Sequence, residues 1–246
     1  MFTFGIITNS KHHGSTDQSE RLSAMIKSIQ QQQIPQYEII IVGDYKTNEP
    51  FCKCIEFDET VKPAWITKKK NVIAQEAKYD NIVYLHDYIY LTNNWYRGWQ
   101  EFGLDNWDIA MNIIINNDDT RFRDWFVFKY DGNTGPHGIW QNNLPQIKDC
   151  LISPYIPNYE YNKTEYMSIS GSYWVVKKYV MLNEPLNEKL VWGQPEDIEW
   201  ALRVLPKYKY VMNTHSAVKL LHNKDRVYRP LNEYFVSQEY IKEFIK

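Results

Sequence analysis

The sequence has 246 residues, enough to bury a sizeable core as one α/β domain. Its formal net charge is −2, with 28 Lys and Arg against 30 Asp and Glu, so it lacks the overall positive charge that non-specific nucleic-acid binding requires. We therefore expect one globular unit, residues 1–246, that does not bind nucleic acid.

Cysteine content and hydropathy bear on the cellular compartment. The three cysteines, Cys52, Cys54 and Cys150, are odd in number and include a C-x-C pair too close for an ordinary disulfide framework. The N-terminus lacks a basic region followed by a long apolar stretch, and no run of about 18 apolar residues occurs. We expect a cytoplasmic protein with no membrane-spanning segment.

The first half alternates short apolar runs with helical periodicity, which is typical of βαβ units around a mostly parallel sheet. A helix is predicted to begin at Asp17, because Asp17 and Glu20 have capping-box spacing. We expect strands at 2–8, 37–44, 52–58, 81–91 and 107–116, and helices from 17, at 67–80 and around 95–102.

The second half begins with a long irregular stretch, 117–165, rich in polar, glycine, proline and aromatic residues. Such segments are usually functional or mobile. Regular structure is expected to return at 166–182 and in a helix that starts at Pro195. Ile198, Ala201, Leu202 and Leu205 are predicted to form the buried face of that helix.

Polar side chains follow three of the predicted strands. Thr8 ends the first, Asp44 the second, and His86 and Asp87 end the fourth. In an open α/β sheet ligands bind outside the carboxyl ends of the strands. Each acid taken alone is best explained as a loop cap, but together they favour a binding site.

The order of these segments resembles a known family. The run "FTFGIITNS…YEIIIVGD…KKKNVIAQEAKYDNIVYLHDYIYL" is similar to the nucleotide-binding half of GT-A fold glycosyltransferases of the family-2 kind. The later "VWGQPEDIEW" is similar to the W-G-G-E-D segment of β-1,4-galactosyltransferases and polypeptide N-acetylgalactosaminyltransferases. The resemblance covers most of the chain except 117–165. It implies a mixed, mostly parallel α/β sheet flanked by helices, with a nucleotide-sugar-binding half at 1–115 and an acceptor-binding half at 116–246.

The resemblance also implies a metal site. His86-Asp87-Tyr88 stands where the family has its D-x-D motif, so Asp87 would coordinate Mn²⁺ or Mg²⁺ that bridges the donor diphosphate. His86 replaces the first carboxylate of that motif. His222 is the preferred histidine ligand and His215 the competing one.

The nucleotide contacts follow from the same resemblance. Thr8 and Asp44 would contact the nucleoside, and Lys70 and Asn71 would lie near the nucleotide at the start of their helix. Taken without the resemblance, the run Lys68 to Lys70 is more typical of a solvated helix face.

The acidic pair Glu196-Asp197 is assigned to the acceptor side. Asp197 would be the general base, Glu196 would hydrogen-bond the acceptor sugar, Trp192 would stack on it, and Gly193 would let the loop close. The alternative is that both acids only stabilise the helix N-terminus through the helix dipole.

The expected function is a hexosyltransferase-type reaction from a UDP-sugar to a carbohydrate or glycoconjugate acceptor, inverting with Asp197 as base. Retaining chemistry stays open. One alternative is a nucleotidyltransferase that makes a nucleotide sugar, although "TNSKHHGST" has one glycine and no glycine-rich phosphate loop. Another is an inactive sugar- or nucleotide-binding protein. A processive synthase is disfavoured because its membrane segments and Q-x-x-R-W motif are absent.

Overall fold

The computed structural model describes residues 1–10, 17–127, 159, 167–190, 194 and 196–222, with the backbone alone for 125–127 and 167. The elements in chain order are β1 (Phe2–Ile7), α1 (Gln18–Gln30), β2 (Tyr37–Gly43), β3 (Cys52–Glu56), α2 (Ile66–Glu76), β4 (Asn81–His86), β5 (Ile89–Leu91), α3 (Trp95–Phe102), β6 (Ile109–Ile115), β7 (Trp125–Val127), β8 (Met167–Ile169), β9 (Tyr173–Lys177), α4 (Lys178–Asn183), α5 (Glu196–Val204) and β10 (Tyr210–Leu220).

Within the described part of the chain, eight strands form one sheet in the order β3-β2-β1-β4-β9-β6-β10-β5, and β7 pairs with β8 in a separate ribbon. Strands β3, β2, β1 and β4 are parallel to one another, and β6 is parallel to β10. Strand β9 is antiparallel to both β4 and β6, and β5 is antiparallel to β10. The predicted mixed, mostly parallel sheet is therefore confirmed. Its strands come from both halves of the chain.

This topology gathers one set of strand ends at one edge of the sheet. Parallel strands β1, β2 and β4 end there, and the antiparallel β9 begins there, since Tyr173 pairs with Leu85. The backbone N–H of His86, the last residue of β4, donates to the carbonyl of Ser172, just before β9, at 3.1 Å. Residues that precede β9 consequently lie beside those that follow β4.

The core forms where the apolar periodicity predicted it. Strand β1 is fully buried, and its Phe2 ring contacts the Trp95 ring of α3 edge-on at 5.2 Å between centroids. Helix α1 buries Leu22, Met25, Ile26 and Ile29, the face expected from the sequence. Asp17 caps this helix as predicted, since its carboxylate accepts from the backbone N–H of Ser19 at 3.0 Å. Among the described helices, none is long and apolar enough to cross a membrane.

The structure corrects two predicted elements. The single strand expected at 81–91 is wrong: a turn at Asp87 and Tyr88 separates β4, which pairs with β1, from β5, which pairs with β10. The expected buried face of α5 is also partly wrong. Trp200 and Val204 are fully buried, whereas Leu202 and Leu205 are half-buried, because the helix packs its 197–201 face against β8.

Candidate active site

Asp87 lies in a buried hydrogen-bonded cluster at the end of β4. Its Oδ2 accepts from the Thr8 hydroxyl at 2.6 Å and from Arg21 Nη2 at 3.0 Å. The side chains of Asp87 and Arg21 are 0% and 3% exposed. A buried carboxylate needs a partner of opposite charge, and Arg21 from α1 supplies it.

Asp44 lies at the neighbouring strand end but is exposed. Its carboxylate accepts from the Ser10 backbone N–H at 3.1 Å, from the Ser10 hydroxyl, and from Gln18 Nε2 at 2.7 Å. The same Gln18 amide donates to the Thr8 hydroxyl at 2.9 Å. Partial burial acts to raise the pKa of Asp44, but the hydrogen bonds from Ser10 and Gln18 outweigh it and lower that pKa. The Thr8, Asp44 and Asp87 side chains therefore form one connected group.

The two competing histidines lie in different places. The His222 ring packs against Tyr88, with 5.1 Å between centroids, and the His86 ring lies on the same tyrosine at 5.3 Å. His215 instead faces α3, where its Nδ1 lies 3.6 Å from a Glu101 carboxylate oxygen. Of the two, His222 is the one beside the segment that follows β4.

The described residues by themselves do not fit a metal site. Within them no three His, Cys, Asp or Glu side chains come together in a group that could hold a metal ion. The Oδ2 of Asp87 already accepts from Thr8 and Arg21, and a guanidinium within 3.0 Å competes with a cation for the same oxygen.

Two of the three consecutive lysines of α2 are buried, so the expectation of a solvated face holds for Lys68 alone. Lys69 is 2% exposed; it donates to the carbonyl of Thr8 at 2.6 Å and pairs with Glu59. Lys70 is 0% exposed and donates to the carbonyl of Gly171 at 2.8 Å. Helix α2 thus anchors β1 on one side of the site and the start of β9 on the other.

Asn71 forms hydrogen bonds with the loop after α4. Its amide donates to the carbonyl of Leu186 at 2.9 Å and to Glu188 at 3.0 Å, and its oxygen accepts from the Leu186 N–H at 2.9 Å. These contacts make Asn71 an anchor for that loop.

The acidic pair at the start of α5 converges on Gly171. Asp197 Oδ2 accepts from the Gly171 N–H at 2.8 Å, and Asp197 Oδ1 accepts from the Ile198 N–H at 2.9 Å. A Cβ at residue 171 would lie 2.9 Å from Asp197 Oδ2 and 3.1 Å from Glu196 Oε1, so only glycine lets both carboxylates approach. Burial, followed by the nearby Asp197 charge, raises the pKa of Glu196.

Trp192 and Gly193 of the predicted acceptor loop, and Pro195, the predicted helix start, lie outside the described residues. Reasoning from the sequence also missed three residues of the site, namely Arg21, Gly171 and Arg123. Arg123 lies close enough to act electrostatically on both Tyr88 and Glu196. Arg21 carried a detectable signal, because it falls one turn before Met25 on the apolar face of α1.

Comparison with known proteins defines the fold. No protein-family model and no curated protein sequence matches the chain. The structure of GalNAc-T7 with UDP, GalNAc and Mn²⁺ superposes with a TM-score of 0.60 at 14% identity, over 91% of this chain and 43% of that one. The structure of S. aureus TarS 1-349 with UDP-GlcNAc superposes with a TM-score of 0.54 at 12% identity, over 99% of this chain and 64% of that one. Another structure of TarS 1-349 has a TM-score of 0.52 at 10% identity, over 89% of this chain and 60% of that one.

This chain has a GT-A-like fold. The fold predicted from the resemblance is thereby confirmed, and GalNAc-T7 and TarS are both glycosyltransferases. The chain spans between 43% and 64% of the length of these three structures. At such low identity the likeness defines the fold, and the chemistry has to be argued from the residues of this chain.

Proposed function

We propose that this protein is a glycosyltransferase that moves a sugar from a UDP-sugar to a hydroxyl of a carbohydrate or glycoconjugate acceptor. One observation carries the proposal: within a GT-A-like sheet, the hydrogen bond from His86 N–H to the Ser172 carbonyl brings the two groups of acids to the same edge. Asp87 follows His86 on one side, and Gly171, which binds Asp197, precedes Ser172 on the other. A nucleotide site and a carboxylate base placed side by side suit transfer from a nucleotide sugar.

The donor half, 1–115, would bind the nucleotide at the ends of β1 and β2. Asp44 is exposed and ionised, and its carboxylate can accept from a ribose hydroxyl or a base N–H. Thr8 lies behind it, bonded to Gln18 and Asp87. In this arrangement Asp44 contacts the ligand, and the buried group beneath it keeps the strand ends in place.

The acceptor half, 116–246, would supply the base. Asp197 removes the proton from the acceptor hydroxyl as that oxygen attacks the anomeric carbon. The bond from this carbon to the diphosphate breaks, and its electron pair leaves with the diphosphate. Glu196 would hydrogen-bond the acceptor, with Trp192 and Gly193 in the loop over it. Attack on the face opposite the leaving group inverts the anomeric centre.

The metal assignment remains with Asp87 and His222, as the resemblance implies. A Mn²⁺ or Mg²⁺ ion there would stabilise negative charge on the departing diphosphate. Since the described residues alone do not make up such a site, no step above goes through a metal.

A second function, nucleotide or sugar binding without turnover, is favoured by one observation. The carboxylate of Asp87 is already paired with Arg21, which suits a structural role better than a reactive one. This alternative predicts binding of UDP without hydrolysis or transfer of a donor sugar.

Thermal unfolding with UDP tests the proposal. UDP at about 100 times its dissociation constant should stabilise the protein by about 2.7 kcal/mol, a shift in Tm of several degrees for a chain of this size. The titration is run with and without Mn²⁺, with adenosine diphosphate as the matched control nucleotide. If no nucleoside diphosphate shifts the Tm, the proposal is wrong. If UDP binds but no donor sugar is hydrolysed or transferred, the binding-protein alternative holds.

A further inference from the structure

Lys70 is a fully buried lysine whose ammonium points at the acceptor side of the site. Its Nζ donates to the carbonyl of Gly171 at 2.8 Å, lies 3.6 Å from Glu196 Oε1 and stands 4.2 Å from the centroid of the Trp174 ring. The carbonyl of Lys70 accepts from the Tyr84 hydroxyl at 2.9 Å. Burying a lysine is costly unless it is paired and hydrogen-bonded, so these contacts fix the ammonium in one place.

The backbone of Gly171 is held on both sides of its Cα. Its carbonyl, in the peptide with Ser172, accepts from Lys70 Nζ, and its N–H, in the peptide with Ser170, donates to Asp197 Oδ2 at 2.8 Å. Hydrogen bonds therefore connect α2 to the proposed base through the two peptides that flank the Gly171 Cα. Movement of Lys70 would release the carbonyl and let the backbone at Gly171 turn away from Asp197.

Glu196, Asp197 and Lys70 also interact through their charges. Two adjacent carboxylates, Glu196 and Asp197, meet at Gly171, and like charges this close repel. Among the described residues, the charged and titratable groups that face Glu196 are Lys70 from α2, Arg123 from the segment before β7, Tyr88 from the turn after β4, and Asp197 beside it. Lys70 and Asp197 also bond the Gly171 backbone, one at its carbonyl and the other at its N–H.

We infer that Lys70 is a positioning residue: it fixes the backbone at Gly171 and balances the charge of Glu196, and so holds Asp197 in place for proton abstraction. The inference rests on the proposed function of Asp197. It differs from the nucleotide contact that the family resemblance implies for Lys70, because the buried ammonium is directed at Gly171 and Glu196.

A titration of Glu196 tests the charge contact without any need for activity. The side-chain carboxyl of Glu196 is followed by carbon-13 NMR, assigned by its loss in Glu196→Gln. Burial of the ammonium acts to lower the pKa of Lys70, while Glu196 and Asp197 act to raise it; reciprocally, Lys70 lowers the pKa of Glu196. In Lys70→Met the pKa of Glu196 should therefore rise further above its ordinary value. An unchanged titration of Glu196 overturns the inference.

The exposed pair Lys53–Glu76 provides a matched control, since Glu76 also belongs to α2. Lys53→Met should leave the titration of Glu196 unchanged and barely alter the Tm. Lys70→Met should lower the Tm by about 10 °C, as expected for breaking a buried pair in a chain of this size.

The double variant tests whether Lys70 and Glu196 interact. Glu196→Gln should lower the Tm less in the Lys70→Met background than in the wild type, because the shared interaction is already lost. Additive losses overturn the inference.

Binding of UDP separates this role from donor binding. Lys70→Met should keep the UDP-induced shift in Tm and lower kcat with little change in the KM for the donor. Loss of the UDP shift in this variant alone would make Lys70 a donor ligand and overturn the inference. Failure of the wild type to bind UDP would instead remove the proposed function and leave the Glu196 titration as a separate result.

If Lys70→Met does not fold, Glu196→Gln provides a second test of the inference. In Glu196→Gln the ammonium loses its nearest carboxylate, so the pKa of Lys70, followed by nitrogen-15 NMR, should fall further below its ordinary value. A Lys70 pKa equal to that of the wild type in this variant overturns the inference.

Discussion

The two sides of the site hold their carboxylates in different ways. On the donor side, side chains from α1 contact both acids: Arg21 pairs with Asp87, and Gln18 bonds Asp44, which also accepts from Ser10. On the acceptor side, the backbone N–H groups of Gly171 and Ile198 hold Asp197. Backbone donors fix the position of a carboxylate and leave its charge in place, whereas a buried guanidinium compensates that charge directly.

This difference separates groups that support the fold from groups that are fit for chemistry. A base must keep a charged oxygen able to take a proton, and Asp197 is held only by neutral donors in the contacts described above. Asp87 is compensated by a cation and is fully buried. We therefore expect substitution of Asp197 to affect turnover, and substitution of Arg21 or Asp87 to affect stability.

The largest effect is expected for Asp197→Asn. The amide keeps the size of the side chain but cannot take the proton of the acceptor hydroxyl, so transfer should fall by roughly 10²- to 10⁴-fold. The measurement is initial rate of sugar transfer, alongside the UDP-induced shift in Tm, which should be unchanged. The control is Asp105→Asn, an exposed aspartate at the opposite edge, before β6. Full transfer activity in Asp197→Asn would remove this residue as the base.

The next effect is expected for Arg21→Met, which leaves Asp87 buried without its guanidinium. Breaking a buried pair on one side costs about 3–5 kcal/mol in the free energy of unfolding, measured by urea denaturation. Arg97→Met is the control, because the pair Arg97–Glu101 is exposed and such pairs contribute about 0–1 kcal/mol. Equal losses in the two variants would contradict the structural role of the Arg21–Asp87 pair.

Much of the fold follows from local sequence signals. Strand β2 is a nearly continuous apolar run, as expected for a strand covered on both faces, and Asp17 marks the start of α1. The strand-end position of Thr8 and Asp44 followed from these elements and from the rule for parallel sheets. Each of these signals lies within a few residues of the feature it predicts.

The contacts that hold the site depend on long-range pairing, and no local signal names the partner, even where the burial of one member, Arg21, could be read from the apolar face of α1. Arg21 and Asp87 are 66 residues apart, and Lys70 and Gly171 are 101 apart. A run of three lysines is normally exposed, and the burial of Lys69 and Lys70 depends on where β1 and β9 end relative to α2. The break between β4 and β5 has the same origin, because β5 pairs with β10, which comes more than 100 residues later.

The smallest effect is expected for Asp44→Asn, which tests the exposed member of the donor side. Loss of one charge-assisted hydrogen bond to the nucleoside should weaken binding of UDP by about tenfold, measured by calorimetry. Stability at neutral pH should fall only slightly, because the side chain is exposed and its contribution is small. Since the folded pKa of Asp44 is lowered, its contribution to stability is present above the ordinary Asp pKa and lost as pH falls through the folded value, a loss that Asp44→Asn should remove. Unchanged UDP affinity would mean that Asp44, like Asp87, serves the strand ends and not the ligand.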